Sequence, residues 1–264
     1  MRKNTYKALL TLATIMLTTA CGTTDNDKLA FDKATVEKTV KIAPDEEDSP
    51  QCNVTLSIDY ATDANGAERA SQLNDVVQHK LLAMTGLAMQ QAADSFANKY
   101  TRDYVQHYAP LYREDKKDEK KRSWYEYHYV IETQVQDGRE GTVNYLATLD
   151  YYEGGAHGIN QQLAMNFDTR TGHVYQLQDL FVPGFEQPLA KMLEKALCEK
   201  TDAKSVEQLR DMGYLYSMDM FAPENFIMEQ ETITFIYNPY EIAPYAMGKT
   251  ELTLSWADLR SIMK

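Results

Sequence analysis

The residues with the clearest chemical potential lie in the segment Tyr151–Gly158, which reads YYEGGAHG. Gly154 and Gly155 permit backbone conformations with positive φ and the close approach of another part of the chain. His157, two positions later, could shuttle a proton or act as a ligand. The alternative is a strand that ends in a glycine turn, with His157 hydrogen-bonded locally, and the segment by itself favours this alternative.

No second reactive group accompanies His157 at a diagnostic spacing. The sequence contains no G-x-S-x-G, H-E-x-x-H, P-loop or C-x-x-C motif, and no two histidines stand four positions apart. We therefore predict no metal site and no cofactor. Aspartate and glutamate total 39, so a glycosidase-like carboxylate pair stays open, although such abundance makes any chosen pair uninformative. The histidines are His79, His107, His128, His157 and His173.

A second candidate surface is the segment Tyr237–Gly248, which reads YNPYEIAPYAMG. Tyrosine offers a large contact area at low entropic cost, so a stiff loop rich in tyrosine and proline suits recognition of a protein or a glycan. The alternative is a core-packed crossover that closes the last hairpin. Together the two segments supply the predicted binding residues, which are Tyr151, Tyr152, His157, Tyr237, Asn238, Tyr240 and Tyr245.

The N-terminus predicts a lipoprotein. A basic leader precedes a short apolar run, Ala8 to Leu17, which is too short to span a membrane and has the proportions of a secretory signal. The following Leu-Thr-Thr-Ala-Cys resembles a bacterial lipobox, in which Cys21 is acylated; an ordinary signal peptide is the alternative. We predict a signal peptide at 1–20 and a lipid-anchored, polar, flexible linker at 21–51, in a cell envelope facing the periplasm or the outside.

The two remaining cysteines are Cys52 and Cys198. In an oxidising envelope compartment they are either a disulfide or two separate thiols.

Charge excludes some partners. Without the three basic residues of the leader, Arg2, Lys3 and Lys7, the formal charge of −12 becomes −15. Such acidity argues against nucleic acid and against electrostatic binding to an anionic surface, and it permits a basic protein partner. Acidity that serves solubility alone is the alternative.

Hydrophobic periodicity predicts an α+β fold, with antiparallel sheets of hairpins and helices packed on one face. The pattern indicates a strand at 52–61, then an amphipathic helical stretch that bends or breaks near Gly86 or 98–101 and ends before Pro110. Hairpins follow at 125–152 and 161–177, helices at 188–200 and 205–212, and strands at 227–228, 232–237 and 250–256. We divide the folded part into halves at 52–158 and 159–264.

The chain from about residue 50 to 260 resembles the RsiV-type extracytoplasmic domain family, with specific motifs only in the second half of the 264 residues. The Tyr-x-Gly-Gly-Ala-His turn and the Glu-Ile-Ala-Pro-Tyr-Ala loop both match the family pattern. Further matches are Asn166, Phe167, Asp168, Thr171, Gly172, Leu177, Asp179, Leu180 and Phe181. The family occurs as the lysozyme-binding outer domain of an anti-sigma factor and as a non-catalytic module ahead of a peptidoglycan deacetylase. The chain departs from both forms, since neither a sigma-binding segment nor a deacetylase domain is recognisable.

The resemblance implies a free-standing, non-enzymatic, lipid-anchored binding module of the cell envelope, for a protein such as lysozyme or for peptidoglycan. Two alternatives remain open. One is a cell-wall polymer hydrolase that uses His157, and the other is a purely structural envelope lipoprotein.

Overall fold

The computed structural model describes residues 29–62 and 67–264. The predicted signal peptide and Cys21 lie outside these residues. The strands are β1 (Ala30–Lys41), β2 (Gln51–Thr62), β3 (Tyr127–Asp137), β4 (Thr142–Tyr152), β5 (Ile159–Asp168), β6 (Phe226–Met228), β7 (Thr232–Tyr237) and β8 (Thr250–Ser255). The helices are α1 (Ala67–Leu82), α2 (Met89–Asp115), α3 (Leu177–Leu180), α4 (Glu186–Thr201), α5 (Val206–Asp211) and α6 (Trp256–Leu259), and short 3₁₀ helices lie at Glu119–Tyr125 and Tyr245–Met247.

The strands form two sheets, with the orders β1-β2-β3-β4-β5 and β6-β7-β8. The predicted α+β class is confirmed: the sheets are rich in antiparallel pairs, and helices pack on them. One pair departs from the predicted hairpins, because β2 and β3 run parallel. Parallel neighbours need a crossover connection, and α1 and α2 supply it.

The predicted flexible linker at 21–51 is wrong over much of its length, because residues 30–41 form β1. This strand pairs antiparallel with β2 along all twelve residues, from Ala30 opposite Thr62 to Lys41 opposite Gln51. Ala34 is buried, and the backbone of Thr35 exchanges two hydrogen bonds with the side chain of Gln90 on α2, at 3.2 and 3.1 Å. Composition misled here, because an edge strand stabilised by backbone pairing tolerates polar and charged side chains.

The break in the helical stretch lies between α1 and α2, at 83–88, as predicted near Gly86. The predicted end before Pro110 is wrong, because α2 continues to Asp115 with the proline inside it. A proline there removes one helical hydrogen bond. The last turns nevertheless hold, since Tyr112 is buried against Tyr125 at 5.5 Å between ring centroids, and Lys116, just past the helix end, pairs with Glu46 at 2.8 Å.

Two hydrophobic cores lie on either side of a seam. The first contains α1, α2 and the five-stranded sheet, and the second contains α4 and the three-stranded sheet. The predicted boundary at residue 158 is misplaced, because β5 pairs with β4 and Phe167 lies in the first core. The chain passes to the second core between Asp168 and Leu177, the latter of which is buried there.

Asparagine side chains join the two sheets across this seam. Asn166 donates to the carbonyl oxygen of Phe226 at 2.8 Å and accepts from the N–H of Met228 at 2.9 Å. Asn225 likewise accepts from Ala164 N–H and donates to the carbonyl oxygen of Gln162, each at 2.8 Å. These amides take the place of a neighbouring strand for backbone groups that would otherwise be buried without partners.

Candidate functional site

The two segments singled out in the sequence meet in space. The His157 ring stacks on Tyr245 with 4.0 Å between ring centroids, and its Nε2 lies 3.0 Å from the hydroxyl of Tyr240. The rings of Tyr240 and Tyr245 are 5.7 Å apart. We call these three residues the aromatic cluster. Tyr240 is 62% exposed and His157 is exposed, so the cluster presents ring surface to solvent.

For the neutral form of His157, the two hydrogen bonds assign the ring proton to one nitrogen. Nδ1 lies 2.9 Å from the carbonyl oxygen of Gly158, which can only accept, so Nδ1 carries the proton. Nε2 is then the acceptor, and the hydroxyl of Tyr240 donates to it. Nδ1 is engaged within the turn, and Nε2 holds the turn against the tyrosine-rich loop. Within residues 29–62 and 67–264, no carboxylate is hydrogen-bonded to His157.

The glycine turn has a clear conformational reason. Gly154 and Gly155 have φ values of +83° and +95°, which side-chain-bearing residues rarely adopt. A Cβ on Gly154 would also lie 2.9 Å from the carbonyl oxygen of Trp124. The turn therefore reverses the chain after β4 in a tight space and delivers His157 to the cluster.

Tyr151 and Tyr152, at the end of β4, support the sheet and the glycine turn. Tyr151 is half-buried and stacks on Tyr129 at 5.2 Å. The hydroxyl of Tyr152 donates to the carbonyl oxygen of Gly155 at 2.8 Å, which braces the glycine turn.

Tyr237 and Asn238 are structural, which corrects their prediction as binding residues. Tyr237 is fully buried in the second core, and its hydroxyl donates to the carbonyl oxygen of Phe221 at 2.6 Å. Asn238 is buried at the seam, where its side chain exchanges hydrogen bonds with the backbone of Gln162 at 2.8 and 3.1 Å. Strand alternation explains the burial of Tyr237, because it is the last residue of β7 and its side chain is directed into the core.

A neighbouring loop adds exposed apolar surface that sequence reasoning missed. Leu215 donates its N–H to the carbonyl oxygen of Ile242 at 2.8 Å, which ties the loop at 213–217 to the tyrosine-rich loop. Tyr216 is 82% exposed between Leu215 and Ser217, whose φ values are +51° and +57°. Left-handed backbone at both neighbours of this tyrosine constrains the direction in which its exposed side chain points. Only the Gly213 turn signal pointed to this loop in the sequence.

Of the two alternatives that the sequence left open for the cysteines, the disulfide is not formed. Cys52 and Cys198 are both free thiols. Cys52 is buried in the first core and Cys198 packs against the second, so the alternative of two separate thiols describes the structure. Burial raises the pKa of the Cys52 thiol to about 12 and also raises the pKa of Cys198, which is only half-buried.

We expect the two thiols to react at very different rates. A thiol with a raised pKa has little thiolate, the reactive form, and a buried one also excludes the reagent. In protein from residue 22 onward at pH 8, a thiol reagent should label Cys198 at least 100-fold faster than Cys52. Peptide mass spectrometry after timed labelling measures this ratio, and labelling in urea serves as the control. A Cys52–Cys198 linked peptide in a non-reduced digest would contradict the expectation.

The described residues contain no group of three or more histidine, cysteine, aspartate or glutamate side chains arranged to hold a metal ion. No helix among the described residues is long and apolar enough to cross a membrane.

Part of the chain matches a known protein family, and the fold matches solved structures. Residues 178–257 match the DUF3298 family, described as a protein of unknown function. A crystal structure of a DUF3298 family member from Bacteroides fragilis superposes with a TM-score of 0.84 at 28% sequence identity, covering 91% of this chain and 96% of that one. A DUF3298 family protein from Pseudomonas aeruginosa has a TM-score of 0.61 at 21% identity, covering 90% and 96%, which shows similarity of fold alone. A search of curated proteins gave no match.

The DUF3298 segment contains Tyr240 and Tyr245 but not His157. The aromatic cluster is thus built between the DUF3298 segment and the turn that follows β4.

Proposed function

We propose that this chain is a non-enzymatic, lipid-anchored binding module of the cell envelope, which binds a basic protein such as a lysozyme through the aromatic cluster. The observation that carries the proposal is the meeting of His157 with Tyr240 and Tyr245 on an exposed surface. Rigid aromatic anchors that are already ordered lose little entropy on binding and make typical interface hot spots.

The electrostatics support a basic partner. Without the leader, the formal charge of −12 becomes −15, which steers basic proteins toward the surface and repels acidic ones. The engaged nitrogens of His157 support binding over hydrolysis, because the ring serves to position Tyr240 and has no carboxylate partner in the described part of the chain.

The proposed anchor at Cys21 would hold the sheet near the membrane. β1 begins at Ala30, so the eight residues 22–29 separate it from the anchor. Fully extended, such a segment spans only about 30 Å. The proposed module therefore acts close to the lipid surface.

Removal of the cluster tyrosines tests the binding surface. We expect Tyr240→Ala combined with Tyr245→Ala to weaken lysozyme binding at least 30-fold, which corresponds to the roughly 2 kcal/mol of a hot spot. Surface plasmon resonance of protein from residue 22 onward, against a panel of lysozymes, measures the change. Leu111→Ala, which removes an exposed apolar side chain from α2, is the control and should bind normally.

Three outcomes would overturn all or part of the proposal. Equal affinity of the double variant and the unmodified protein would remove the cluster from the interface. Turnover of muropeptides that disappears in His157→Ala would favour a hydrolase. Binding to insoluble peptidoglycan and to no lysozyme would keep a binding module but replace its partner.

A further inference from the structure

A second surface lies on the other side of the glycine turn and is independent of the aromatic cluster. α2, β3 and the residue after β4 enclose a cleft of about 270 Å³. We call it the tyrosine cleft. The residues that line it include Phe96, Tyr100, Tyr104, Tyr108, Tyr127 and Glu153.

The walls of the tyrosine cleft are aromatic rings held in fixed positions. Phe96, Tyr100, Tyr104 and Tyr108 recur at every fourth position of α2, so they follow one face of the helix. Tyr127 on β3 closes the cleft, at 5.1 Å from Tyr104 and 5.0 Å from Tyr108 between ring centroids. The hydroxyl of Tyr104 donates to the carbonyl oxygen of Tyr125 at 2.8 Å, which locks its ring.

A carboxylate without a cation stands at the cleft. Glu153 accepts a hydrogen bond of 2.6 Å from the hydroxyl of Tyr100 and makes no ion pair within residues 29–62 and 67–264. Burial raises the pKa of Tyr100, so its hydroxyl stays neutral and donates. Lys99 does not neutralise Glu153, because it pairs with Asp103 at 2.6 Å and its side chain is 65% exposed.

Aromatic faces and a carboxylate without an ion-pair partner both favour the binding of a cation. The face of an aromatic ring carries partial negative charge and attracts cations, and the attraction grows where water is excluded. Among cationic side chains, the guanidinium is planar, weakly hydrated and able to stack on rings while it donates two hydrogen bonds to a carboxylate. We propose that the tyrosine cleft binds an arginine side chain of a basic polypeptide, with the guanidinium stacked against the partly exposed rings that line the cleft and paired with Glu153.

This inference does not rest on the proposed function, because the cleft and the aromatic cluster are different surfaces. Glu153 and His157 lie at opposite ends of the glycine turn. Variants can therefore separate them: loss of the cluster tyrosines should leave arginine binding at the cleft unchanged.

A matched pair of peptides tests the proposal on the unmodified protein. The full-length chain in detergent is titrated with acetyl-Gly-Gly-Arg-Gly-Gly-amide and with the same peptide carrying citrulline, which has nearly the same shape and no charge. We expect the arginine peptide to bind at least tenfold more tightly in an NMR titration. Equal binding of both peptides, or binding of neither, would overturn the proposal. Preferential binding of N-acetylglucosamine would also overturn it, in favour of a sugar site.

Variants then locate the bound peptide. Glu153→Gln should weaken binding of the arginine peptide at least fivefold and reduce its preference over citrulline. Glu199→Gln is the matched control, because it removes the same charge from an exposed position on α4. If both variants bind the arginine peptide as the unmodified protein does, the cation site at Glu153 is rejected.

Discussion

Replacing Asn166 with alanine is expected to lower the free energy of unfolding by about 3 kcal/mol. The substitution leaves two buried backbone groups without partners, the carbonyl oxygen of Phe226 and the N–H of Met228. Each buried unsatisfied group costs about 1–3 kcal/mol. Since Asn166 is only 1% exposed, water cannot replace the lost amide without rearrangement of the seam.

Urea unfolding followed by circular dichroism measures this effect, with the midpoint and the slope compared between variants. Asn160→Ala is the control, because Asn160 is exposed and, in the described part of the chain, its side chain hydrogen-bonds only to Asp150, at 3.0 Å. It should change the free energy of unfolding by less than about 0.5 kcal/mol. A loss below about 1 kcal/mol for Asn166→Ala would show that the seam reorganises readily and that the amide is not the element that joins the sheets.

The second large effect is expected for Gly172→Ala, at about 3 kcal/mol or more of stability, from two causes that act together. Gly172 has a φ of +75°, a conformation that costs a side-chain-bearing residue roughly 1–2 kcal/mol. Its Cβ would also lie 2.4 Å from the carbonyl oxygen of Arg69 in α1, a distance that forces backbone to move. The turn cannot easily yield, because the Asp168 carboxylate accepts from the N–H groups of Arg170 and Thr171, both at 2.9 Å.

Gly141→Ala separates these two causes. Gly141 has a similar φ of +78°, but a Cβ there meets nothing within 4 Å. Its replacement should cost only the conformational part, roughly 1–2 kcal/mol. Thermal and urea unfolding of both variants give the comparison. Equal losses for the two variants would mean that the contact between the turn and α1 contributes nothing.

Asn166 and Gly172 show what the family-like motif around them does in the structure. The asparagine supplies hydrogen bonds that β6 lacks on its free side, and the glycine lets the β5 turn touch α1. The motif therefore describes how the two cores are joined, and it carries no reactive group of its own.

Local patterns predicted most of the elements. Alternation in Tyr125–Val135 and Val143–Tyr152 predicted the hairpin of β3 and β4, and Ser205 begins α5 as its N-cap by accepting from Gln208 N–H at 3.3 Å. Such signals depend on neighbours within a few positions, so they survive without knowledge of the fold. β1 gave no such signal, because its stability comes from its partner strand.

The aromatic cluster was only half predictable. The two segments were visible in the sequence as unusual strings, and Tyr240, Tyr245 and His157 were among their residues. Tyr237 turns into the core as the last residue of β7, and Asn238 is buried because its side chain bonds the backbone of Gln162 in β5. Composition reveals neither contact. The pattern in the sequence that indicates the tyrosine cleft is an aromatic residue at every fourth position of α2.

The sequence by itself determined the α+β class, the boundaries of most elements and the glycine turn, because each depends on short-range periodicity and backbone preference. Only the tertiary structure decided that β2 and β3 run parallel, that Cys52 and Cys198 lie in different cores, and that His157 meets Tyr240 across 83 positions of sequence. That last contact depends on the asparagine seam, which holds the loop after β7 beside the turn after β4. Contacts of this kind are set by how two sheets dock, and no local pattern encodes the docking.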